Sequence, residues 1–353
     1  MELKRLRRQI DLLDKNITQL LNSRARLTLK IAATKQKSGK SIYAPEREQE
    51  VLSRIAAANT GPLNSASLAA IYREIMSSSL ALEKPLKIAY LGPEASFSHL
   101  AAMKRFGSRI AYMACESISD VFLKVERGIA DYGVVPVENS IEGAVSYTLD
   151  VFVDSDLKIC AQVILNVSHN LLANCSKQAI KRIYSNPQVF GQCRGWLREN
   201  LPQAELIEVS STTRAAQIAA REKNSACIAS DLAAKVYKLK VIAGDIEDSL
   251  HNVTRFFVVG RVDVSQTGKD KTSLIFSIKD KVGALHEMLL PFKKYGINLT
   301  KIESRPSKKK AWDYYFFVDL EGHRENAKVK KALAELEDKC KFLKILGSYP
   351  IGE

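Results

Sequence analysis

Nothing in the 353 residues approaches the ~18 consecutive uncharged apolar residues that a membrane span requires. The first fourteen residues alternate charges with leucines where a signal peptide would carry an apolar block. Both absences predict a cytosolic chain with no membrane partner. Cysteine is scarce and unpatterned. The six, Cys115, Cys160, Cys175, Cys193, Cys227 and Cys340, form no Cys-x-x-Cys pair, and none has a histidine beside it at metal-ligand spacing. They read as reduced, mostly buried thiols, with no metal site. In such a compartment the sequons at Asn16, Asn166, Asn252 and Asn298 are chance matches. Internal repeats and low-complexity tracts are missing too. What is present, 46% hydrophobic and 26% charged residues, is ordinary globular composition and supports real cores in two or three domains.

The net charge is +14, with its excess in the first 85 and the last 91 residues. Such an excess attracts anions of any kind, from nucleic acid to a small dicarboxylate, so the placement of single cations must decide. Leu3, Leu6, Ile10, Leu13, Ile17, Leu20, Leu27 and Ile31 keep a 3-4 spacing with no Pro or Gly before Gly39. This predicts one long helix, residues 3–37, about 50 Å in length. Too little chain follows to cover its apolar stripe, so a second copy is expected to supply the rest. Pro45, Glu46 and Glu48 open a second helix that closes near Gly61-Pro62. A third, with Leu68, Ile71, Tyr72, Ile75 and Leu82, runs to about Glu83 before Lys84-Pro85.

From Leu86 short apolar runs alternate with helical patterns. Strands are predicted at 87–91, 133–137, 163–167, 182–184, 206–209, 226–229 and 254–259, an α/β domain with ligands beyond the strands' carboxyl ends. Residues 263–271 read as a linker. Beyond it the order is strand 272–278, helix 283–295, strands 299–304 and 313–320, helix 326–339 and strand 342–346, the βαββαβ ferredoxin-like unit. Its Lys308-Lys309-Lys310 run reads as a solvated hairpin tip. The domains are therefore 1–85, 86–262 and 272–353.

Arg24 occupies the apolar stripe of the first helix, and Lys35 lies three turns on, ~20° off the same face. Taken alone, a snorkelling Arg and a solvated Lys would account for both. Ser79 and Glu83 share one side of the third helix, and the second adds Arg47 and Glu48. Arg7, 17 residues before Arg24, is ~25 Å away along the helix and can reach such a site only in an antiparallel partner.

These seven residues give residues 1–84 a resemblance to the all-helical chorismate mutase domain, an intertwined dimer. The resemblance implies that Arg7 of one subunit and Arg24 of the other hold the two carboxylates of chorismate. It also implies that Lys35 and Glu83 hydrogen-bond the ether oxygen. Two positions depart from the family: Ala44 stands where some members have a substrate-contacting Asp, and Glu83 where others have Gln. A carboxyl can donate to the ether oxygen only when protonated, so the mutase step is expected to favour acidic to neutral pH, with a limit set by how far burial raises the pKa of Glu83.

The middle region carries Leu91-Gly92-Pro93-Glu94-Ala95-Ser96-Phe97, Glu138-Asn139-Ser140, Ser168-His169-Asn170, Asn186-Pro187-Gln188 with Gln192-Cys193, Ser210-Ser211-Thr212-Thr213 and Asn252-Val253-Thr254-Arg255-Phe256. Singly these read as helix caps and loop structure. Together and in this order, residues 86–262 resemble prephenate dehydratase, two α/β lobes of the periplasmic-binding-protein type with substrate between them. The resemblance implies that Thr254 assists departure of the ring hydroxyl as CO₂ is lost. It carries over Ser96, Glu138, Asn139, Ser140, His169, Gln188, Ser211, Thr212, Arg255 and Phe256 as substrate contacts. Ala95 stands where relatives have Gly, which puts the anion contact of that loop in question.

The last region resembles an ACT domain. Gly283-Ala284-Leu285 and Glu303-Ser304-Arg305-Pro306 match the phenylalanine-binding motifs of dehydratase ACT domains, implying L-phenylalanine as an allosteric inhibitor. The whole order is similar to the bifunctional chorismate mutase–prephenate dehydratases of phenylalanine synthesis, homodimers or tetramers without a cofactor. One rival is an amino-acid-sensing transcriptional regulator that binds nucleic acid through its basic helices. Against it stand Arg24 inside an apolar stripe and the lack of aromatic residues among the N-terminal charges. A second is a binding protein without turnover.

Overall fold

The 36 residues from Glu2 contain neither Pro nor Gly and form a single helix, α1 (Glu2–Lys37). The computed structural model describes residues 1–37, 43–249, 251–278, 282–307 and 314–351, so the Lys308–Lys310 run and the start of the strand expected at 313 lie outside the described residues. Two compact units emerge, residues 1–87 with 106–111, and residues 88–105 with 112–353.

In the first unit α2 (Pro45–Ala58) begins on Pro45, with Ala44 at the N-cap making no side-chain cap bond. For α3 (Ser65–Glu83), by contrast, the Asn64 side chain accepts from the amide of Ser67. Both α1 and α2 pack on α3. The unit leaves the apolar stripe of α1 open: Leu3, Leu6, Ile10, Leu13, Ile17, Leu20, Leu27 and Ile31 are each 46–70% exposed.

The second unit begins with β1 (Lys87–Leu91), α4 (Phe97–Phe106), β2 (Ala111–Cys115), α5 (Ile118–Glu126), β3 (Tyr132–Asn139), the short β4 (Gly143–Ala144), α6 (Ser146–Asp154) and β5 (Lys158–Asn166). The chain then builds a second lobe from β6 (Asn170–Ala173), β7 (Arg182–Ser185), α7 (Pro187–Gln192), α8 (Arg194–Asn200), β8 (Glu205–Glu208), α9 (Thr212–Ala219), β9 (Ser225–Ala229), α10 (Asp231–Tyr237) and β10 (Lys240–Ala243). It returns through β11 (Val253–Gly260) to the first lobe. The first sheet has the order β2-β1-β3-β11-β5, with β11 antiparallel to both neighbours, and the second has β10-β6-β9-β7-β8.

Four of these strands, β2, β4, β6 and β10, were not expected from the sequence. The first and last are short, partly exposed edge strands. The start of β6 lies inside the polar cluster Ser168-His169-Asn170, which hides it.

The C-terminal part is β12 (Asp270–Ser277), α11 (Ala284–Lys294), β13 (Leu299–Pro306), β14 (Tyr314–Glu321), α12 (Ala327–Lys339) and β15 (Phe342–Pro350), with sheet order β13-β14-β12-β15. The expected linker is shorter than 263–271, since Asp270 and Lys271 already belong to β12. The buried Asp270 carboxylate accepts from the Thr267 amide and hydroxyl and from the Gly268 amide, which fixes the turn.

The linker does not separate independent bodies. Ile275, Phe317, Leu346 and Tyr349 share one apolar core with Val135, Val137, Phe152, Phe257 and Val259 of the first lobe. At roughly 1.5–3 kcal/mol per buried large apolar side chain, this shared core is a major stabiliser of both. Two lysines bind backbone across the seam, Lys158 to the Ile345 carbonyl and Lys344 to the carbonyls of Val153 and Ser155. Gly347 permits the approach, because a Cβ there would lie 2.3 Å from the Ile159 carbonyl oxygen. Among the described residues no helix is long and apolar enough to cross a membrane.

Candidate active site

The helical unit assembles four of the seven expected residues. Arg24 is half-buried and its Nη1 donates to Ser79 Oγ at 2.5 Å, while Ser79 donates to the Ile75 carbonyl one turn back. Glu83, one turn further along α3, is half-buried, and its Oε2 has no hydrogen-bond partner among the described residues. Burial pushes this carboxyl above its ordinary value against the pull of Lys35 and Arg24, whose charges both reach it. The arrangement is two cations and a serine around a desolvated acid, which suits an anionic substrate needing one neutral donor.

The other three residues are Arg47, Glu48 and Arg7. Arg47 is exposed and pairs with Glu50 at 2.6 Å, a surface pair within one helix. Glu48 is half-buried on α2. Arg7 is exposed on α1, far from Arg24 on the same helix.

In the second unit β3 and β11 set the geometry. Asn139 is paired with Thr254 and Glu138 with Arg255. Successive side chains on a strand point to opposite faces, and directly paired residues point the same way. Asn139 and Thr254 therefore share one face, Glu138 and Arg255 the other. On the first face Asn139 Nδ2 donates to Thr254 Oγ1 at 2.8 Å and to Asn252 Oδ1 at 2.8 Å. Asn252 Nδ2 donates to Gln192 Oε1, which also meets His169 Nε2 at 2.7 Å. A continuous polar chain thus runs from Thr254 in the first lobe through Gln192 in the second to His169, which directly precedes β6.

Burial pushes the His169 imidazole below its ordinary value, more than Gln192 and Glu247 raise it, so it is neutral near pH 7. With Gln192 Oε1 as acceptor, Nε2 carries the proton and the buried Nδ1 is left without a partner among the described residues. Thr254 is 9% exposed, and its proton has no acceptor among the described residues. Glu142, on the turn after β3, accepts from Gln188 and Gln192 of α7 and so ties the lobes together. A cleft of about 380 Å³ lies there, lined by Ile141, Glu142, Gln188, Gln192 and Asp248 among others.

Several expected contacts have other employment. Ser96 Oγ donates to the Leu91 carbonyl and caps the His99 amide, and Ser211 caps the Arg214 amide. Thr212 is the first residue of α9. Ser140 exchanges hydrogen bonds with Val253 and donates to the His251 carbonyl, fixing the turn after β3 against the start of β11. Ala95 does adopt a left-handed φ of 66°, and its amide is spent on His99 Nδ1, so this loop offers no free Ala95 amide to an anion.

The largest departure concerns Glu138, Arg255 and Phe256. Phe256 is 1% exposed in the core. Arg255 directs its donors to Gln162, Asp319 and Tyr349, and Glu138 pairs with Lys301 at 2.9 Å, so both face the C-terminal sheet. A strand cannot aim Thr254 and Arg255 into the same cleft.

In the C-terminal part, Gly283 (φ 78°) opens α11 while Ala284 is buried and Leu285 packs on that domain's core. Since β12 and β13 are both antiparallel to β14, they run parallel, and Gly283-Ala284-Leu285 and Glu303-Ser304-Arg305-Pro306 fall at the same end. Ser304 and Pro306 are exposed, and Glu303 is half-buried. Arg305 is turned onto α6, donating to Ser146 Oγ at 2.7 Å with Asp150 at 3.5 Å.

Asn252 and Gln192 stood in quoted polar clusters, but nothing local marked them as members of the chain. Glu142 and Asp319 carry no signal in sequence at all, since their partners lie 46 to 64 residues away.

Family models match in order: Chorismate mutase type II at residues 6–84, Prephenate dehydratase at 88–264 and ACT domain at 272–338. A bifunctional chorismate mutase/prephenate dehydratase from Aquifex aeolicus is 50% identical, covering 99% of this chain and 98% of that protein. One from Stutzerimonas stutzeri is 46% identical at the same coverage. Among solved structures, the prephenate dehydratase from Arthrobacter aurescens in complex with L-Phe is 33% identical with a TM-score of 0.70, covering 75% of this chain and 90% of that one. With the helical unit, the two-lobed α/β unit and the ferredoxin-like sheet all matched in order, the chain belongs to the bifunctional chorismate mutase/prephenate dehydratase family.

Proposed function

We propose that the helical unit rearranges chorismate to prephenate around Arg24, Lys35, Ser79 and Glu83, and that the two-lobed unit converts prephenate to phenylpyruvate with Thr254 as proton donor. The observation that carries the first reading is the buried Oε2 of Glu83, without a hydrogen-bond partner among the described residues and within reach of two cationic charges. The rearrangement needs no covalent group. As the ether bond breaks, negative charge grows on its oxygen, and fixed donors aimed there lower the barrier. Protonated Glu83 and Lys35 are those donors. Arg24 takes one substrate carboxylate, and Arg7 of a second copy, brought over by antiparallel pairing of the open α1 stripes, takes the other and holds the compact conformer.

In the dehydratase the carbon–carboxylate bond breaks, and its electron pair enters the ring. The ring carbon–hydroxyl bond then breaks, and the departing oxygen takes a proton from Thr254, leaving CO₂, water and an aromatic ring. Threonine is a weak acid, so its low exposure and the N–H it accepts from Asn139 are what make it usable. Water restores its proton.

L-Phenylalanine binds near the end of β13 and the start of α11, between two copies, and lowers dehydratase turnover. The Arthrobacter relative, solved with L-Phe, supports this reading.

The test is phenylpyruvate formation by the purified protein from chorismate and, separately, from prephenate, each with and without L-phenylalanine. Product from both, suppressed by phenylalanine, supports all three readings. Product from prephenate alone removes the mutase reading, and no product from either removes both.

A further inference from the structure

Directly behind the Asn139–Thr254 pair, on the opposite face of the same two strands, their neighbours Glu138 and Arg255 are held by the C-terminal sheet. Arg255 sits in a closed ring of hydrogen bonds. Its Nη1 donates to Asp319 Oδ2 at 2.5 Å, and its Nη2 donates to the Tyr349 hydroxyl at 2.9 Å. Tyr349 lies 2.6 Å from Ser273 Oγ, and Ser273 donates to the other Asp319 oxygen at 2.5 Å. Three strands, β12, β14 and β15, each contribute one residue to this socket. Gln162 of β5 takes Nε at 2.9 Å, and the Phe257 ring lies 4.8 Å beneath the guanidinium. Both Arg255 and Asp319 are about nine-tenths buried. Glu138, one residue from Asn139, is held by Lys301 of β13, the strand whose end carries Glu303-Ser304-Arg305-Pro306.

We propose that Asp319, outside the dehydratase domain, is a positioning residue for the dehydratase reaction: through Arg255 it fixes the placement of β11, and so the Thr254 hydroxyl against Asn139. A buried ion pair is a poor means of adding stability, because desolvation offsets much of its attraction. Its strength is directional: a guanidinium held at each of its three nitrogens by a different residue, Gln162, Asp319 and Tyr349, restrains where its strand can lie. Reacting groups are sensitive on that scale, where a displacement of about 1 Å can cost 10²-fold in rate. The same contacts make the C-terminal sheet a participant in turnover. Any ligand that favours a different setting of β13 and β14 acts on Lys301 and Asp319, and through them on the residues beside Asn139 and Thr254.

This inference rests on the reading of Thr254 as proton donor, and the experiment separates the two. In the full chain, Asp319→Asn, Asp319→Glu, Lys301→Met and Thr254→Val are assayed for phenylpyruvate formation from prephenate, with mutase turnover measured on the same samples. Asp319→Asn is expected to lower dehydratase kcat at least 10-fold with KM within 2-fold, with Asp319→Glu recovering part of the loss and mutase turnover unchanged. Lys301→Met, which breaks a pair at the edge strand and does not depend on refolding of the socket, is expected to lower kcat 3- to 10-fold. Parent-level kcat in Asp319→Asn overturns the proposal. So does a raised KM with kcat retained, which would make Arg255 a substrate ligand. If Asp319→Asn does not fold, a parent-level kcat in Lys301→Met overturns it. Parent-level kcat in Thr254→Val sinks the proton-donor reading instead, whatever the other variants do.

Discussion

Replacing Glu83 by Gln tests the helical site through its pH dependence. Burial raises the Glu83 carboxyl above its ordinary value, while Lys35 and Arg24 pull it down. Only the protonated form can donate to the ether oxygen, so activity is full below the folded pKa and falls about tenfold per pH unit above it, since one unit corresponds to about 1.36 kcal/mol. The upward shift carries the active limb from the ordinary carboxylate range toward neutrality. Substrate binding adds a second displacement. The substrate carboxylates offset the pull of Lys35 and Arg24, so the acid moves further up in the complex. The kcat profile, which reports the complex, should therefore break at higher pH than kcat/KM, which reports the free enzyme. An amide donates at every pH, so Glu83→Gln should flatten the alkaline limb of both. Chorismate disappearance followed across the pH range for the two proteins decides it, and an alkaline limb of equal slope in the variant refutes the reasoning.

Ala44→Asp supplies the side-chain cap that α2 lacks; it should stabilise the helical unit by about 0.5–2 kcal/mol, seen as a higher melting temperature, and lower the mutase KM. Gly347→Ala places a Cβ 2.3 Å from the Ile159 carbonyl oxygen, so it should cost about 1–3 kcal/mol and depress dehydratase turnover while sparing the mutase; denaturant titration with both assays checks this. Ile17→Glu, at a position 52% exposed in one copy, should leave the helices intact yet halve the mass in sedimentation and abolish mutase activity, because Arg7 of the second copy is lost. Unchanged mass with an active mutase would overturn the pairing of α1.

The helical site was legible because Arg24 violates an apolar stripe, and a violation of periodicity is a local signal. Ser79 and Glu83 followed from spacing along one helix. The dehydratase motifs were legible as clusters, but the cluster Thr254-Arg255-Phe256 conceals a division that alternation along a strand imposes. Had 254–259 been read for faces as well as for apolarity, Thr254 and Arg255 would have been separated at once. What no local pattern contains is the partner of Arg255, since Asp319 lies 64 residues away on another sheet. The strands β2 and β10 were missed for a related reason. They are short, half-exposed edges whose pairing depends on neighbours already in place.

The position of β11 between β3 and β5 orders the life of the chain from its synthesis onward. The helical unit and the second lobe, residues 170–243, consist largely of successive segments and can form as they leave the ribosome. The first lobe cannot: its sheet has a gap at the centre until residue 260 emerges, and the face bearing Phe257 stays uncovered until Leu346 and Tyr349 of β15 follow. Of the two chemistries on this polypeptide, the one that makes prephenate can be ready well before the one that consumes it. A chain lacking Leu346 and Tyr349 would uncouple them, releasing its intermediate.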